Sequence, residues 1–204
     1  MRQLSTTLSL RGVAFSALFA ALVVVFGYVS IPLGFTPVPI TLQTLAVLLA
    51  GGLLGPRYGF FSIIIVVVLT AVGFPLLQGK GGLAVMLGPT GGYVIMWPFA
   101  AFIIGLLVRK VKGNAWLQRL SVFLIMCLGS FLLYVTGVLW LAHVTGLTLP
   151  QATVAGMYPY IPGDLIKGAA ATAIVLSLRQ MFPPERLTGH GYETVRRRTH
   201  TMEE

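Results

Sequence analysis

The sequence predicts an all-α integral membrane protein, and three observations lead to that fold class. First, 56% of the 204 residues are hydrophobic, only 9% are charged, and the mean hydropathy is +0.90, whereas soluble domains carry about 25% charged residues. Second, six apolar runs follow one another, separated by turns of glycine, proline or basic residues. Third, the net charge of +9 comes from basic residues that border these runs, which indicates membrane topology and argues against nucleic-acid binding.

The six predicted transmembrane helices form one membrane domain, residues 1–182, followed by a basic cytoplasmic tail, residues 183–204. Their predicted bounds are 12–31, 40–54, 58–74, 93–108, 120–143 and 161–181. The hydrocarbon core of a bilayer takes about 20 helical residues, and a longer run can tilt. The first run is too long for a typical signal-peptide core and lacks a clean small-residue cleavage site, so we expect a retained helix.

Small side chains cluster in the first predicted helix, at Ala14, Ala17 and Ala21. Small residues at such spacing allow a second helix to approach closely in lipid. An ordinary alanine-rich helix explains the same pattern equally well, so both interpretations stay open.

An uncharged proline-rich loop, residues 32–39, leads into the second predicted helix, which carries Gln43 near its start. Gln43 can hydrogen-bond a ligand or another helix, and the sequence alone slightly favours the other helix. Gly55 and Pro56 then predict a tight turn into the third helix.

Residues 75–92 are rich in glycine yet apolar, with Lys80 as their only charged residue. A flexible linker would be polar, and a phosphate loop would need a Gly-Lys-Ser/Thr sequence at the required spacing. Irregular backbone at membrane depth is tolerated only against protein or a cavity. We therefore expect this segment to fold back as a cap, with residues 83–87 covering a solute.

Residues 144–158 are predicted to form an uncharged loop or interfacial segment before the last helix. His143 lies at a helix end, where an interfacial role is favoured over ligand binding. The single cysteine, Cys127, lies within an apolar run and is expected to pack as a small hydrophobic residue. One cysteine excludes an internal disulfide and a cysteine metal site, and we predict no metal and no cofactor.

The last predicted helix carries the strongest functional signal, Asp164 with Lys167. Asp164 is the only acidic residue in the first 184 positions, and a charge at mid-bilayer costs about 2.5–3.5 kcal/mol on insertion scales. Three residues apart in a helix, the two side chains lie on one face, so they could simply neutralise each other as an ion pair. A paired carboxylate can still face a cavity, and intramembrane charges are functional sites by default, so we predict that this pair binds a solute.

The basic residues predict the orientation of the helices. Twelve of the 14 lysine and arginine residues fall on one side of the predicted topology, Lys80 falls on the other, and Lys167 lies within the sixth helix. The twelve are Arg2, Arg11, Arg57, Arg109, Lys110, Lys112, Arg119, Arg179, Arg186, Arg196, Arg197 and Arg198. Because positive residues concentrate in cytoplasmic loops, both termini are predicted to be cytoplasmic, with the charge pair in the outer half.

Four segments of the sequence resemble the BioY family, the biotin-specific substrate-binding (S) components of energy-coupling-factor (ECF) transporters. They are Pro37-Val38-Pro39-Ile40-Thr41-Leu42-Gln43-Thr44, Gly51-Gly52 through Gly59, Leu87-Gly88-Pro89-Thr90-Gly91-Gly92-Tyr93, and Ile161-Pro162-Gly163-Asp164 with Lys167. The resemblance extends from about Val13 to Leu178 in the family's order and spacing, and the tail after Phe182 lies outside it.

The resemblance implies an ECF S-component-like bundle that captures biotin from outside. It implies a transmembrane coupling protein and two cytoplasmic ATPases as partners, with the three alanines of the first helix able to face the coupling protein. The sequence has no nucleotide-binding motif, so ATP hydrolysis would come from partners and the chain itself is expected not to be an enzyme. Membrane lipid is a further expected partner, nucleic acid is not, and a homo-oligomer and action without dedicated partners stay open.

Biotin has a ureido ring, an apolar bicycle and a carboxylate tail, and we assign candidate residues to these groups as a hypothesis. Asp164 and Lys167 match family positions and are expected to bind a ureido N–H and the ureido carbonyl. Tyr93 and Gln43 are candidates for further polar contacts, and residues 83–87 would cover the bicycle. For the carboxylate we infer Lys80 from its charge, with the amides of the glycine-rich segment as the alternative.

Three rival functions remain at this point. An S component for another vitamin would share the fold and the partners, and competition by unlabelled vitamins would separate the two. A membrane-embedded enzyme would want a paired acid and base, a nucleophile with its base, or a metal cluster, and one carboxylate beside a lysine offers little of that. A purely structural or assembly subunit would explain the helices but not an Asp164 that is expected to be buried under a glycine-rich cap.

Overall fold

The computed structural model describes residues 9–181, in which every long element is a helix. The helices are α1 (Leu10–Tyr28), α2 (Gln43–Val72), α3 (Leu83–Leu87), α4 (Gly91–Val108), α5 (Ala115–Thr145), α6 (Leu149–Gly156) and α7 (Ile161–Met181). Two short strands, β1 (Ser30–Ile31) and β2 (Ile40–Thr41), and a 3₁₀ turn at Tyr158–Tyr160 complete the fold. The predicted basic tail, residues 183–204, and the basic residues Arg2, Arg186, Arg196, Arg197 and Arg198 lie outside the described residues.

Five helical segments within the described residues are long and apolar enough to cross a membrane, where the sequence predicted six. They are Leu10–Tyr28, Gln43–Val72, Gly91–Val108, Ala115–Thr145 and Leu149–Met181. The difference arises because the predicted second and third spans fall within one element, α2. Helix α2 is interrupted at Gly55, whose φ of 77° and ψ of −175° suit glycine, and Pro56 follows with no N–H to continue the helix.

The two parts of α2, which we call its first arm (residues 43–54) and its second arm (residues 57–72), run back along each other. A Cβ added at Gly59 would lie 2.9 Å from the carbonyl oxygen of Ala50, which only a chain reversal allows. At the far end, Gln78 beyond the second arm donates from its Nε2 to Gln43 Oε1 at the start of the first arm, at 3.3 Å.

Helix α2 is the centre of the bundle, because it packs against α1, α4 and α7. The contact with α4 is close: a Cβ at Gly51 would lie 2.5 Å from the carbonyl oxygen of Ala101, and one at Gly105 would collide with the backbone of Pro56. In lipid, where no hydrophobic effect draws helices together, small residues give such backbone-to-backbone packing. Helix α5 packs on α4 and α7 and closes the bundle on the other side.

Helix α1 is attached to the second arm of α2 by serine hydroxyl groups. Ser16 Oγ donates to the carbonyl of Tyr58 at 3.2 Å, and Ser62 Oγ donates to the carbonyl of Ser16 at 2.9 Å. The alanines singled out in the sequence, Ala14, Ala17 and Ala21, are all exposed on the opposite surface of α1. That surface is left uncovered by the rest of the described chain.

One end of the bundle is basic and is fastened by Arg179 of α7. Its Nε donates to the carbonyl of Gly52 at 2.7 Å, and its Nη1 to the carbonyl of Val108 at 3.3 Å. These carbonyls belong to the last turns of the first arm of α2 and of α4, where helical partners are missing. The arginine therefore joins the ends of three helices at the same level as the Gly55 turn.

Two segments differ from the sequence prediction. Residues 144–158, predicted as an uncharged loop or interfacial segment, are mostly helical, because α5 continues to Thr145 and α6 occupies Leu149–Gly156, with Gln151 Oε1 accepting from the Thr148 N–H at 3.0 Å. The proline-rich loop is flanked by a two-residue antiparallel ladder in which Ser30 pairs with Thr41 and Ile31 with Ile40. This ladder brings the end of α1 to the start of α2.

Candidate functional site

A cavity of about 710 Å³ opens at the end of the bundle away from Arg179. It lies between the proline-rich loop, the segment from Leu77 to Thr90, and helices α4, α5 and α7, and its volume is within the range of small-molecule sites. The five side chains predicted to bind a solute all line it: Gln43, Lys80, Tyr93, Asp164 and Lys167. The alanines of α1 do not line it and lie on the outer surface.

Asp164 and Lys167 lie in the first two turns of α7 and face the cavity as a pair. Each residue is only 8% exposed, and Lys167 Nζ donates to Asp164 Oδ1 at 2.9 Å. The same ammonium donates to Thr44 Oγ1 in the first turn of α2 at 2.8 Å. A buried charge is tolerated when it is paired and hydrogen-bonded, and this ammonium has one of its three donors left for another partner.

Two members of this polar group were not predicted as site residues. Tyr134 of α5 donates from its hydroxyl to Asp164 Oδ2, and Thr44 accepts from Lys167. Thr44 stands within a segment that carries the family resemblance, so its neighbourhood gave a signal. Tyr134 stands in a long apolar run with no motif around it, and its only sequence signal is that it is the one tyrosine of α5.

Tyr93 lines the cavity with its ring, while its hydroxyl is committed to the backbone. Its Oη donates to the carbonyl of Gly156 at 2.8 Å, which ties α4 to the end of α6. Its ring packs edge-to-face against Tyr134, with centroids 6.5 Å apart and an interplanar angle of 87°. Tyr93 therefore offers a solute an aromatic surface and an oxygen lone pair, and no free proton.

Gln43 is 2% exposed and connects neighbouring segments as well as lining the cavity. Its Oε1 accepts from Gln78, and its Nε2 lies so close to α1 that a Cβ added at Gly27 would be 2.8 Å away. Gln78 itself has a φ of 56°, a left-handed conformation that is uncommon outside glycine. Gln43 therefore contacts neighbouring segments and also belongs to the cavity lining.

Lys80 is exposed at the mouth of the cavity and is placed by backbone bonds. Its N–H donates to the carbonyl of Leu77 at 2.9 Å, and its carbonyl accepts from the N–H of Leu77 at 3.1 Å. Among the described residues that line the cavity, only Lys80, Asp164 and Lys167 are charged. Because the other two are paired with each other, Lys80 supplies the cavity's uncompensated positive charge.

The glycine-rich segment, residues 75–92, is attached to α5 through its main chain. Trp140 Nε1 donates to the carbonyl of Gly88 at 2.9 Å, and Thr136 Oγ1 donates to the carbonyl of Gly92 at 2.9 Å. Within α3, Ala84 and Val85 line the cavity, whereas Leu83 and Leu87 point outward and are 64% and 60% exposed. Only part of the predicted cap, residues 83–87, therefore faces a solute.

The remaining cavity wall is mainly apolar and includes Val38, Leu77, Val94, Trp97 and Leu133. Within residues 9–181 no group of three His, Cys, Asp or Glu side chains is placed to hold a metal. The site thus combines one charge-paired polar end, an apolar wall, and a single cation at the mouth. That arrangement offers a solute a donor and an acceptor at the polar end and a positive charge at the mouth.

Known proteins resemble this chain along most of its length. The model of the BioY family matches residues 1–184. A biotin transporter BioY from Rhizobium etli is 40% identical over 182 residues, which cover 86% of this chain and 97% of the relative. A biotin transporter BioY from Lactococcus lactis subsp. cremoris is 37% identical over 175 residues, which cover 83% and 91%.

A solved structure resembles most of the chain. The crystal structure of the S-component for biotin from an ECF-type ABC transporter matches with a TM-score of 0.76 and 35% identity, over 83% of this chain and 91% of that chain. Sequence and structure comparisons therefore agree over nearly the same length. The chain belongs to the BioY family.

Proposed function

We propose that this chain is the biotin-binding S component of an ECF-type vitamin transporter and not an enzyme. The observation that carries the proposal is the buried Asp164–Lys167 pair facing a 710 Å³ cavity, in a chain whose relatives are biotin transporters. A pair of opposite charges presents an acceptor beside a donor. The ureido ring of biotin presents the complementary N–H and carbonyl.

The polar end of the cavity binds the ureido ring. Asp164 accepts from a ureido N–H, and the remaining N–H of the Lys167 ammonium donates to the ureido carbonyl. Hydrogen bonds to charged groups are roughly twice as strong as neutral ones and gain further strength in a low dielectric. The apolar bicycle packs against Tyr93 and the apolar wall, with Ala84 and Val85 above it, and Gln43 lies beside the ring.

The carboxylate tail of biotin lies at the mouth, where Lys80 supplies the positive charge. Because the cation of Lys167 is already paired, a carboxylate gains more from Lys80 than from the polar end. The exposure of Lys80 makes this contact weaker than those to the ureido ring, because water and salt screen it.

We infer six membrane crossings, with both termini in the cytoplasm. The antiparallel arms of α2 support two crossings within one element, and Arg179 at the level of the Gly55 turn supports a basic, inward-facing end. Basic residues border that end, whereas Lys80 and Lys167 are the only basic residues among the described ones that line the cavity, a distribution that the positive-inside rule favours. The chain is then one membrane domain, residues 1–182, with a cytoplasmic tail, residues 183–204, and biotin enters from outside.

The exposed alanines of α1 form the contact with a transmembrane coupling protein. Ala14, Ala17 and Ala21 are uncovered along one surface of α1, where small side chains allow another helix to approach closely. Two cytoplasmic ATPases complete the transporter and supply ATP hydrolysis, since the sequence carries no nucleotide-binding motif.

Biotin binding to the purified protein in detergent tests the proposal, beside the variants Asp164→Asn and Lys167→Ala. We expect tight binding by wild type and at least about a tenfold loss in each variant, because each removes a charged hydrogen-bond partner. Failure of a well-folded wild type to bind would remove biotin as the solute, and competition with other unlabelled vitamins would then identify it. Binding that survives both changes would move the site away from this pair.

A further inference from the structure

The hydroxyl group of Tyr134 is a feature of the cavity to which the proposed function gives no role. Tyr134 lies in the middle of α5, is 8% exposed and lines the cavity. Its hydroxyl donates to Asp164 Oδ2, while Lys167 Nζ donates to Asp164 Oδ1 at 2.9 Å. Each oxygen of the carboxylate therefore has its own donor, and the two donors come from different helices.

Two donors on different oxygens fix the plane of a carboxylate, which one donor does not. The χ2 torsion of aspartate is broad and has no sharp staggered wells, so a carboxylate held only by Lys167 could turn about its last bond. An ionised carboxylate has about four lone-pair positions. With one used on each oxygen, the direction of the remaining acceptors is set jointly by α5 and α7.

The same bonds restrict what the polar end can accept. Asp164 offers only acceptor positions, and Lys167, bonded to both Asp164 and Thr44, offers only a donor. A ligand group there must bring an N–H or O–H next to a carbonyl, at a fixed spacing and in one plane. A cyclic urea has this pattern, whereas an ester, a tertiary amide or a second carboxylate does not.

We propose that Tyr134 is a positioning residue that sets the direction of the Asp164 acceptor and so makes the cavity selective for a ligand with an N–H beside a carbonyl. This inference rests on the proposed function, because it adds a residue to the same site. Tyr134 acts through Asp164 and not through its ring. The aromatic contact with Tyr93 is kept when only the hydroxyl is removed.

Tyr134→Phe isolates the hydroxyl, and Tyr160→Phe is its matched control. Tyr160 also lines the cavity and is 7% exposed, but its hydroxyl donates to the backbone carbonyl of Val38. Both variants remove one buried hydroxyl from the same cavity. Only the first removes a hydrogen bond to the charge pair.

The experiment is a double-mutant cycle with labelled biotin on the full chain in detergent, combining each tyrosine variant with Asp164→Asn. We expect Tyr134→Phe alone to weaken biotin binding by a factor of about ten or more. In the Asp164→Asn background the same change should matter by less than about threefold, because residues that act through one another are not additive. Tyr160→Phe should have the same effect in both backgrounds.

Two outcomes overturn the inference while leaving biotin as the ligand. In the first, the Tyr134→Phe variant binds biotin as tightly as wild type. In the second, Tyr134→Phe lowers biotin affinity as much in the Asp164→Asn background as in wild type. If Asp164→Asn binds too weakly to measure, Asp164→Glu replaces it, since it keeps the charge and displaces the carboxylate from Tyr134. A folded wild type that fails to bind biotin contradicts the proposed function itself, so the two failures are distinguishable.

Discussion

The two ends of α7 each place a long cation inside the bundle, and the two cations have different partners. Lys167 bonds to side chains, Asp164 and Thr44. Arg179, twelve residues later, bonds to main-chain carbonyls at the ends of the first arm of α2 and of α4. A cation on backbone carbonyls completes helix ends and stabilises packing. A cation on a carboxylate that lines a cavity leaves a polar pair available to a solute.

The largest effect is expected at the cavity end of α7, where a double substitution should abolish most biotin binding and leave the stability of the protein nearly unchanged. The double variant Asp164→Asn/Lys167→Met should bind biotin more than about a hundredfold more weakly, since both charged partners of the ureido ring are gone. Its free energy of unfolding should stay within about 1 kcal/mol of wild type, because replacing a buried ion pair by neutral groups is often neutral or stabilising.

Lys167→Met alone is the control for this double variant. It leaves the carboxylate of Asp164 buried without its cation and should cost about 3–5 kcal/mol of stability. Binding is measured with labelled biotin and stability by thermal unfolding in the same detergent. A double variant as unstable as the single one would mean that the pair also holds the helices together, as Arg179 does.

The second-largest effect is expected at the Arg179 end of α7. There a substitution should lower stability and leave biotin affinity nearly unchanged. Arg179→Gln removes charged donors from the carbonyls of Gly52 and Val108 and should lower the free energy of unfolding by about 1–3 kcal/mol. Biotin affinity of the folded fraction should stay within about twofold of wild type, since independent sites are additive. Arg179→Lys should recover part of the stability, because an ammonium keeps the charge without the planar guanidinium geometry. A tenfold loss of affinity would show that the two ends are coupled.

The smallest effect tests Lys80, the exposed cation of the cavity. Lys80→Gln should weaken biotin binding by no more than about fivefold, because exposed ion pairs contribute about 0–1 kcal/mol. The loss should disappear for biotinamide, which has no carboxylate, and should shrink at high salt. Lys112→Gln, at an exposed lysine outside the cavity lining, is the matched control. Equal losses for biotin and biotinamide would place the carboxylate elsewhere.

Sequence reasoning identified the residues that are costly to bury. Asp164 and Lys167 stand out in the sequence because a charged side chain inside an apolar run is costly. The structure places the two side by side in a cavity. Tyr134 and Thr44 do not stand out, because a hydroxyl group in a membrane helix is unremarkable until its neighbours in space are known. Which hydroxyl meets Asp164 depends on how α2, α5 and α7 pack.

Glycine and proline positions predicted where the helices break. The sequence did not predict the short helix and the short strands that lie between the long helices. Gly55 and Pro56 predicted the turn correctly, and Gly55 is the non-helical residue that separates the two arms of α2. The uncharged stretch before α7 was predicted as a loop or interfacial segment, and the structure adds that Thr148 and Gln151 begin a short helix there. Two-residue strands such as β1 and β2 are too short to leave a periodic pattern.

The main-chain attachment of the glycine-rich segment affects how this binding site could be redesigned. Its bonds to Trp140 and Thr136 use carbonyl oxygens, and a further bond joins the Gly82 N–H to the carbonyl of Thr70. These bonds do not depend on the side chains of Ala84 and Val85, which face the cavity. New side chains at those two positions could therefore change the shape of the cavity while the segment keeps its place, a favourable starting point for directed evolution toward another ring-shaped nutrient.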